Sequence, residues 1–300
     1  MIAYKGVKSI LNKHKKRDSW FLDDYSINPY EGCGFNCTYC YIHGSKYGEN
    51  LAENIVIKKD AAAILDKQLA NRARKNEFGF IAVGSATDAY MQLEEEIGLT
   101  KELLKVILRH RFPVFISTKS ELIKRDIDLL KQIDSNAILP EDLKQDPGRG
   151  VIISFSFSTL DEKMAKQIEP GAPAPQKRLE TLKLCSDNGF LCGVNAMPLL
   201  PYISDIEEEI EKIVIAAKQY GANYILMAGL TLFGNDVPIA TGRDSKQLVF
   251  RFLRNNYPDL LEKYKKMYGP AYYPSWQYQQ ELKKRGDALC EKYKIKNSIR

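Results

Sequence analysis

No stretch of this sequence is apolar for long enough to span a membrane, and its opening residues, Met1–Gly6, form no apolar leader. Membrane and secretory classes are set aside, and the expectation is a cytoplasmic protein with no membrane partner. Cysteine is scarce, six in 300 residues. Without an oxidising compartment a disulfide framework is excluded. There is no internal repeat and no low-complexity tract, which argues against solenoids. Excess charge of one sign is small: a formal +6 and a pI near 8.8. That suits nucleic acid without demanding it. Most Lys and Arg alternate with Asp and Glu on helical stretches, the pattern of solvated surface. What remains, 44% hydrophobic and 27% charged residues, is enough for a sizeable core in one or two domains.

Half of the cysteines lie together in Glu31–Tyr41: Cys33, Cys37 and Cys40, with three and then two residues between them. Thiolates this close on a short loop can converge on one centre, and three of them suit a soft metal or an iron–sulfur cluster. A cubane cluster has four irons, so three cysteines leave one iron open for a small molecule. Gly32 and Gly34 relax the backbone, Asn36 tolerates a turn, and Phe35, Tyr39 and Tyr41 can screen a cluster from water. A zinc site from the same cysteines and His43 is the alternative, in a non-catalytic nucleic-acid-binding module. Cys185, Cys192 and Cys290 are scattered and read as small buried thiols.

Along the chain, strands alternate with helices. Strands are expected at 26–30, 54–58, 78–83, 112–117, 151–157, 190–197 and 223–230. Helices are expected at 60–75 with Asp60 as N-cap, at 99–109 with Thr100 as cap, and at 121–133, 176–188 and 205–220. The rhythm predicts a parallel sheet with right-handed crossovers, about six strand–helix units against the eight of a closed barrel. The expected fold is α/β, a partial (β/α)6 TIM-type barrel over 26–240. A basic lead-in, 1–25, precedes it, either a solvated arm or a polyanion contact with Trp20. A helical extension, 241–300, is expected to close the open side.

The cysteine spacing, with Tyr39 just before the last cysteine and Asn28-Pro29-Tyr30-Glu31-Gly32 leading in, resembles the radical S-adenosylmethionine (SAM) superfamily. Within it the stretch is similar to the branch of spore photoproduct lyase, the DNA-repair photolyase-like proteins. The resemblance covers roughly 8–230. It implies a [4Fe-4S] cluster on Cys33, Cys37 and Cys40, with SAM chelating the open iron. One electron, from an external donor of flavodoxin or ferredoxin type, cleaves SAM to a 5′-deoxyadenosyl radical. That radical abstracts hydrogen from a substrate, which in this branch is nucleic acid; a peptide or small metabolite is the other option.

In parallel α/β proteins ligands sit at the carboxyl ends of strands, where the remaining candidates fall. Ser85, Thr87 and Asp88 follow Gly84 and offer oxygen acceptors to an ammonium group, or form a turn. By resemblance they hold the methionine amino group. Lys119 ends the next strand and is similar to the ligand of the methionine carboxylate, or is a surface lysine. Ser154, Ser156 and Ser158 alternate onto one strand face, and Ser156 is the family's serine for carboxylate or ribose. Glu169 can bond ribose or pair with Arg178. Asn195 can read ribose and adenine, and Leu226–Leu230 is adenine floor or plain core. Where spore photoproduct lyase has its hydrogen-donor cysteine this chain has Ala86. Tyr90 is the nearest candidate donor.

Overall fold

Six strands lie side by side, all parallel, in the order in which they occur in the chain: β1 (Asp23–Ile27), β2 (Phe80–Val83), β3 (Val114–Thr118), β4 (Val151–Phe157), β5 (Leu191–Leu199) and β6 (Tyr224–Gly229). The computed structural model describes residues 2–43, 51–234, 244–269 and 271–300. A two-residue strand, Asn12–Lys13, pairs antiparallel with β1 and ends the sheet on that side. The opposite edge is β6. This is the expected six-unit partial barrel.

The outward faces of the strands meet the helices. Ile27, Val83, Ile116, Phe155 and Val194 pack in one core with Leu65 of α1 (Ala61–Arg74), Leu104 of α2 (Leu99–His110), Leu130 of α3 (Ile127–Asn136), Leu182 of α4 (Pro175–Asp187) and Ile213 of α5 (Glu207–Gln219). The inward faces carry a second set. Phe80, Phe115, Ile152, Tyr224 and Leu226, with Leu143 and Ile299, form an apolar plug at the amino ends of the strands. Being apolar on both faces is why β2 reads as a continuous hydrophobic run. Above the plug the inward positions turn polar: Ser154, Ser156 and Asn195, all buried. Gly193 makes this possible, since a Cβ there would lie 2.2 Å from the Tyr224 ring. That ring turns its hydroxyl to Ser154 Oγ at 2.5 Å.

Several local expectations need correction. Asp60 is left-handed, with φ 56°, and its side chain caps nothing. Thr100 does not cap α2. Glu94 does, accepting the Thr100 amide at 2.8 Å, while Thr100 Oγ1 donates to the Ala89 carbonyl. The helix expected at 121–133 is a 3-10 turn, Glu121–Asp126, followed by α3. The short helix Glu162–Ile168, capped by Asp161, was not foreseen. Strand Ile55–Lys59 stands outside the barrel, parallel to Ile2–Gly6 and antiparallel to Tyr30–Glu31. The first residues thus build strand, not a loose arm.

After β6 the described chain is helical, as expected: α6 (Ser245–Asn256), a short helix Leu261–Met267, and α7 (Trp276–Tyr293). Helix α7 lies close against β6, and a Cβ on Gly286 would meet Met227 Sδ at 2.7 Å. The extension seals the base and not the whole open side. Lys296 bridges to Tyr224, Ile299 enters the plug, and Asp142 gathers Arg17 at 2.6 Å and Arg300 at 2.7 Å. A cleft of about 680 Å³ remains between β6, α7 and residues Ser19 and Trp20.

Candidate active site

The cysteine loop is folded by two residues that accept unusual backbone: Gly32 at φ 81° and Asn36 at φ 49°. A side chain on Gly32 would strike the carbonyls of Leu51 and Asn54 at 2.8 Å, and Cys33 donates its amide to Leu51. The loop hangs over the carboxyl ends of the strands because three neighbours hold it there. The Gly34 amide points to Met91 Sδ at 3.3 Å. Thr38 donates to the Ile168 carbonyl at 2.8 Å, and Gly171 donates to the Phe35 carbonyl at 3.1 Å. Gly171 must be glycine, since its Cβ would sit 2.1 Å from the Gly34 oxygen.

Cys37 is buried, and Cys33 and Cys40 are half-buried. Burial pushes all three thiols up, Cys33 to about 12, and a charge at Cys40 raises Cys33 and Cys37 further. Such a pocket favours thiolates only when a cation takes them, which is the chemistry of a metal centre. Among the described residues no three His, Cys, Asp or Glu side chains are grouped to hold one metal ion. A four-iron cluster makes a different demand, because it spreads its ligands over separate corners. His43, proposed as a fourth zinc ligand, instead sets Nε2 3.0 Å from the Cys37 carbonyl oxygen, and burial lowers its pKa. A neutral ring donating there braces the loop. The zinc alternative therefore loses its fourth ligand.

Beneath the loop lies a charged tier. Arg178 and Glu169, each about 1% exposed, pair at 2.5 Å. The Tyr39 hydroxyl donates to the other Glu169 oxygen. Arg178 also donates to the carbonyls of Pro173 at 2.8 Å and Ser156 at 3.0 Å, so it braces the end of β4. Lys119 sits 5.8 Å from the Tyr39 ring centroid. Burial works against its charge, but Cys37 and Glu169 win and hold it above its ordinary value. Glu169 likewise stays below its ordinary value against burial, through Lys119 and Arg178. Of the two readings of Glu169, the ion pair is the one formed.

The next tier is neutral. Ser117 Oγ lies 3.2 Å from Ser156 Oγ and accepts the Asn195 amide at 2.9 Å. Asn195 Oδ1 and Thr87 Oγ1 are buried with no partner among the described residues, while Ser158 Oγ stands beside the Tyr39 hydroxyl. Buried polar atoms are nearly always bonded, so these two orphans at the carboxyl ends of the strands fit a polar ligand that supplies the missing bonds.

Other candidates take different roles. Asp88 is occupied: its carboxylate accepts Thr118 Oγ1 at 2.8 Å and the amides of Tyr90 at 2.9 Å and Lys119 at 2.8 Å. It ties the loop after β2 to the end of β3. Ser85 is exposed at the rim, held by Asn28, whose Nδ2 donates to Ser85 Oγ while its Oδ1 accepts the Ala86 amide. Tyr90 is corrected. It is fully buried on the outward side of the sheet, among the charges of Asp126, Arg125 and Glu94. A sealed phenol in the helix layer cannot give hydrogen to a substrate in the barrel. Leu226 belongs to the apolar plug and is core.

Residues 27–214, more than half of the chain, match the model of the Radical SAM superfamily. The chain belongs to the radical SAM superfamily. An uncharacterized protein of Mycobacterium tuberculosis is 26% identical over 279 residues, covering 90% of this chain and 75% of that protein. Another, of Methanocaldococcus jannaschii, is 27% identical over 242 residues, 79% of this chain and 78% of its own. Among solved structures, a spore photoproduct lyase mutant superposes with a TM-score of 0.67 at 15% identity, over 97% of this chain and 79% of that one. A second mutant, with bound AdoMet and dinucleoside spore photoproduct, gives 0.63 at 16% identity with the same coverage. These likenesses establish the partial-barrel fold. Membership makes this radical SAM protein an enzyme of that chemistry and implies a [4Fe-4S] cluster and SAM. No described helix is long and apolar enough to cross a membrane.

Proposed function

We propose that Cys33, Cys37 and Cys40 hold the [4Fe-4S] cluster, and that SAM lies between it and the basin of Thr87, Ser156, Ser158 and Asn195. The observation that carries this is the pair of orphaned polar atoms, Thr87 Oγ1 and Asn195 Oδ1, at the strand ends under a loop that carries three free cysteines. Bound together, cluster and SAM supply one-electron cleavage of the sulfonium and a carbon radical for hydrogen abstraction. The chain's own part is positioning and exclusion of water. Lys119 offers its ammonium to the methionine carboxylate. Thr87 Oγ1 accepts from the amino group, with Ser85 at the rim. Ser156 and Asn195 orient the ribose. Asp88, Glu169, Arg178 and Tyr39 fix the loops from which these groups project.

Reversal of a thymine photoproduct is not proposed. The position of the hydrogen-returning thiol is Ala86, and Tyr90 is walled off. Nucleic acid stays open as a substrate class: in the basic leader Arg17 pairs with Asp24 and Asp142 and His14 with Asp23, but Lys8, Lys15 and Lys16 form no ion pair among the described residues. The test is anaerobic incubation of reconstituted protein with SAM and dithionite or a reduced flavodoxin. Release of 5′-deoxyadenosine is expected; SAM left intact by iron-loaded protein refutes the reading.

A further inference from the structure

The cleft beside β6 is lined by none of the cysteines or polar residues assigned above to the cluster and SAM, and it runs the height of the sheet edge, from Thr231 down to Asn297. Its floor is the outer edge of β6. An edge strand presents unpaired N–H and C=O groups, a ready template for another strand. Here the template is already used once. The chain's own extended segment bridges to it in parallel at Tyr224–Lys296, and the Ile225 amide donates to the Lys296 carbonyl at 2.9 Å. Backbone direction alternates along a strand, so Met227 faces the same way two residues on. Its outward amide and carbonyl have no partner among the described residues. Chain has left the edge where the cleft begins.

The walls indicate what fits. Trp20 on one side and Tyr273 on the other are 44% and 59% exposed. Charge is cancelled: Lys283 pairs with Asp287 at 2.5 Å, and Asn297 donates to Asp287 at 3.0 Å. A nucleic-acid backbone needs unpaired cations, and this cleft offers none among the described residues. Uncharged walls, flanking rings and a hydrogen-bonding edge suit a polypeptide in extended form.

We propose that this seam is a docking groove for an extended peptide segment with uncharged side chains, which adds as a further strand to β6. The proposal rests on the radical SAM reading for its purpose. Leu226 is paired in register with Asn195. An added strand would lie two strand spacings from β5, about 10 Å at roughly 4.8 Å each, so an inward side chain can reach over β6 toward the basin.

Hydrogen exchange on the full chain tests it. The probe is a pool of blocked ten-residue peptides randomised over Gly, Ala, Ser, Thr, Val and Gln, with a ten-nucleotide thymidine oligomer as comparator. Exchange across 225–231 is expected to slow at least five-fold with the peptides and to stay unchanged with the oligomer. No slowing with peptide, or equal slowing with the oligomer, overturns the proposal. Met227→Pro deletes the outward amide at an edge position where proline is tolerated, and a folded variant should lose the protection. Protection that survives in folded Met227→Pro also overturns it. If that variant fails to fold, the exchange on the unmodified chain decides alone. SAM cleavage by the same preparation reports separately on the enzyme reading, so the two can fail independently.

Discussion

Replacing Gly171 with alanine tests whether the loop after β4 sets the height of the cysteine loop. The new methyl would meet the Gly34 carbonyl oxygen at 2.1 Å and Phe35 Cα at 2.9 Å. Ordinary contact begins near 3.4 Å, so the two loops must part by about 1.3 Å, the difference between those separations. Both obstacles are backbone, so no rotamer change relieves them. Overpacking of this kind costs about 1–3 kcal/mol, which a domain with stability on the order of 5–15 kcal/mol survives. The effect on chemistry is larger. Gly34 and Phe35 lie between Cys33 and Cys37, so the displacement moves the ligands themselves, and about 1 Å at a reacting centre costs on the order of 100-fold. The assay is the anaerobic rate of 5′-deoxyadenosine release, read beside iron content and thermal melting. A folded, iron-bearing Gly171→Ala protein about 100-fold slower is expected. A rate equal to the unsubstituted protein at full iron content refutes the coupling.

Cys37→Ala should lose most of its iron and all SAM cleavage, by metal analysis and product assay; retained cleavage sinks the ligand assignment. Thr87→Val should move two quantities in opposite directions. It removes a buried, unpartnered hydroxyl and so stabilises the SAM-free protein by about 1 kcal/mol in denaturant unfolding, while weakening SAM binding roughly ten-fold. Loss of both stability and binding would show a structural role instead. Arg178→Leu leaves Glu169 buried without its main partner and should cost about 3–5 kcal/mol. In a double-mutant cycle Glu169→Gln should recover part of that, whereas strict additivity would refute the pairing as the source.

The cysteine motif and the six-unit rhythm were legible because both are local signals: spacing on one loop, and a period that changes between strand and helix. Long-range contacts were not. Glu94 stands in a run of three glutamates that reads as surface, yet it is fully buried against Tyr30, Arg125 and the start of α2. Tyr90 is two residues from Asp88, but the intervening turn sends it to the opposite side of the sheet. Asn28 was visible only as part of a lead-in; its grip on Ser85 and Ala86 spans more than fifty positions of chain. Gly171 carries its meaning in an approach between two backbones, which no spacing in sequence displays. The orphaned atoms of Thr87 and Asn195 emerge only from the placement of side chains brought together from distant strands.

The sealed base has a kinetic corollary. A vessel stopped by Phe80, Phe115, Ile152 and Ile299 fills only from above or through its flank. Whatever settles around Asn195 must arrive before anything that covers it, and must leave afterwards. For traffic from above, last in, first out is then the order, and steady-state inhibition by the deeper product should be competitive with the first arrival alone; entry through the flank beside β6 would lift that order.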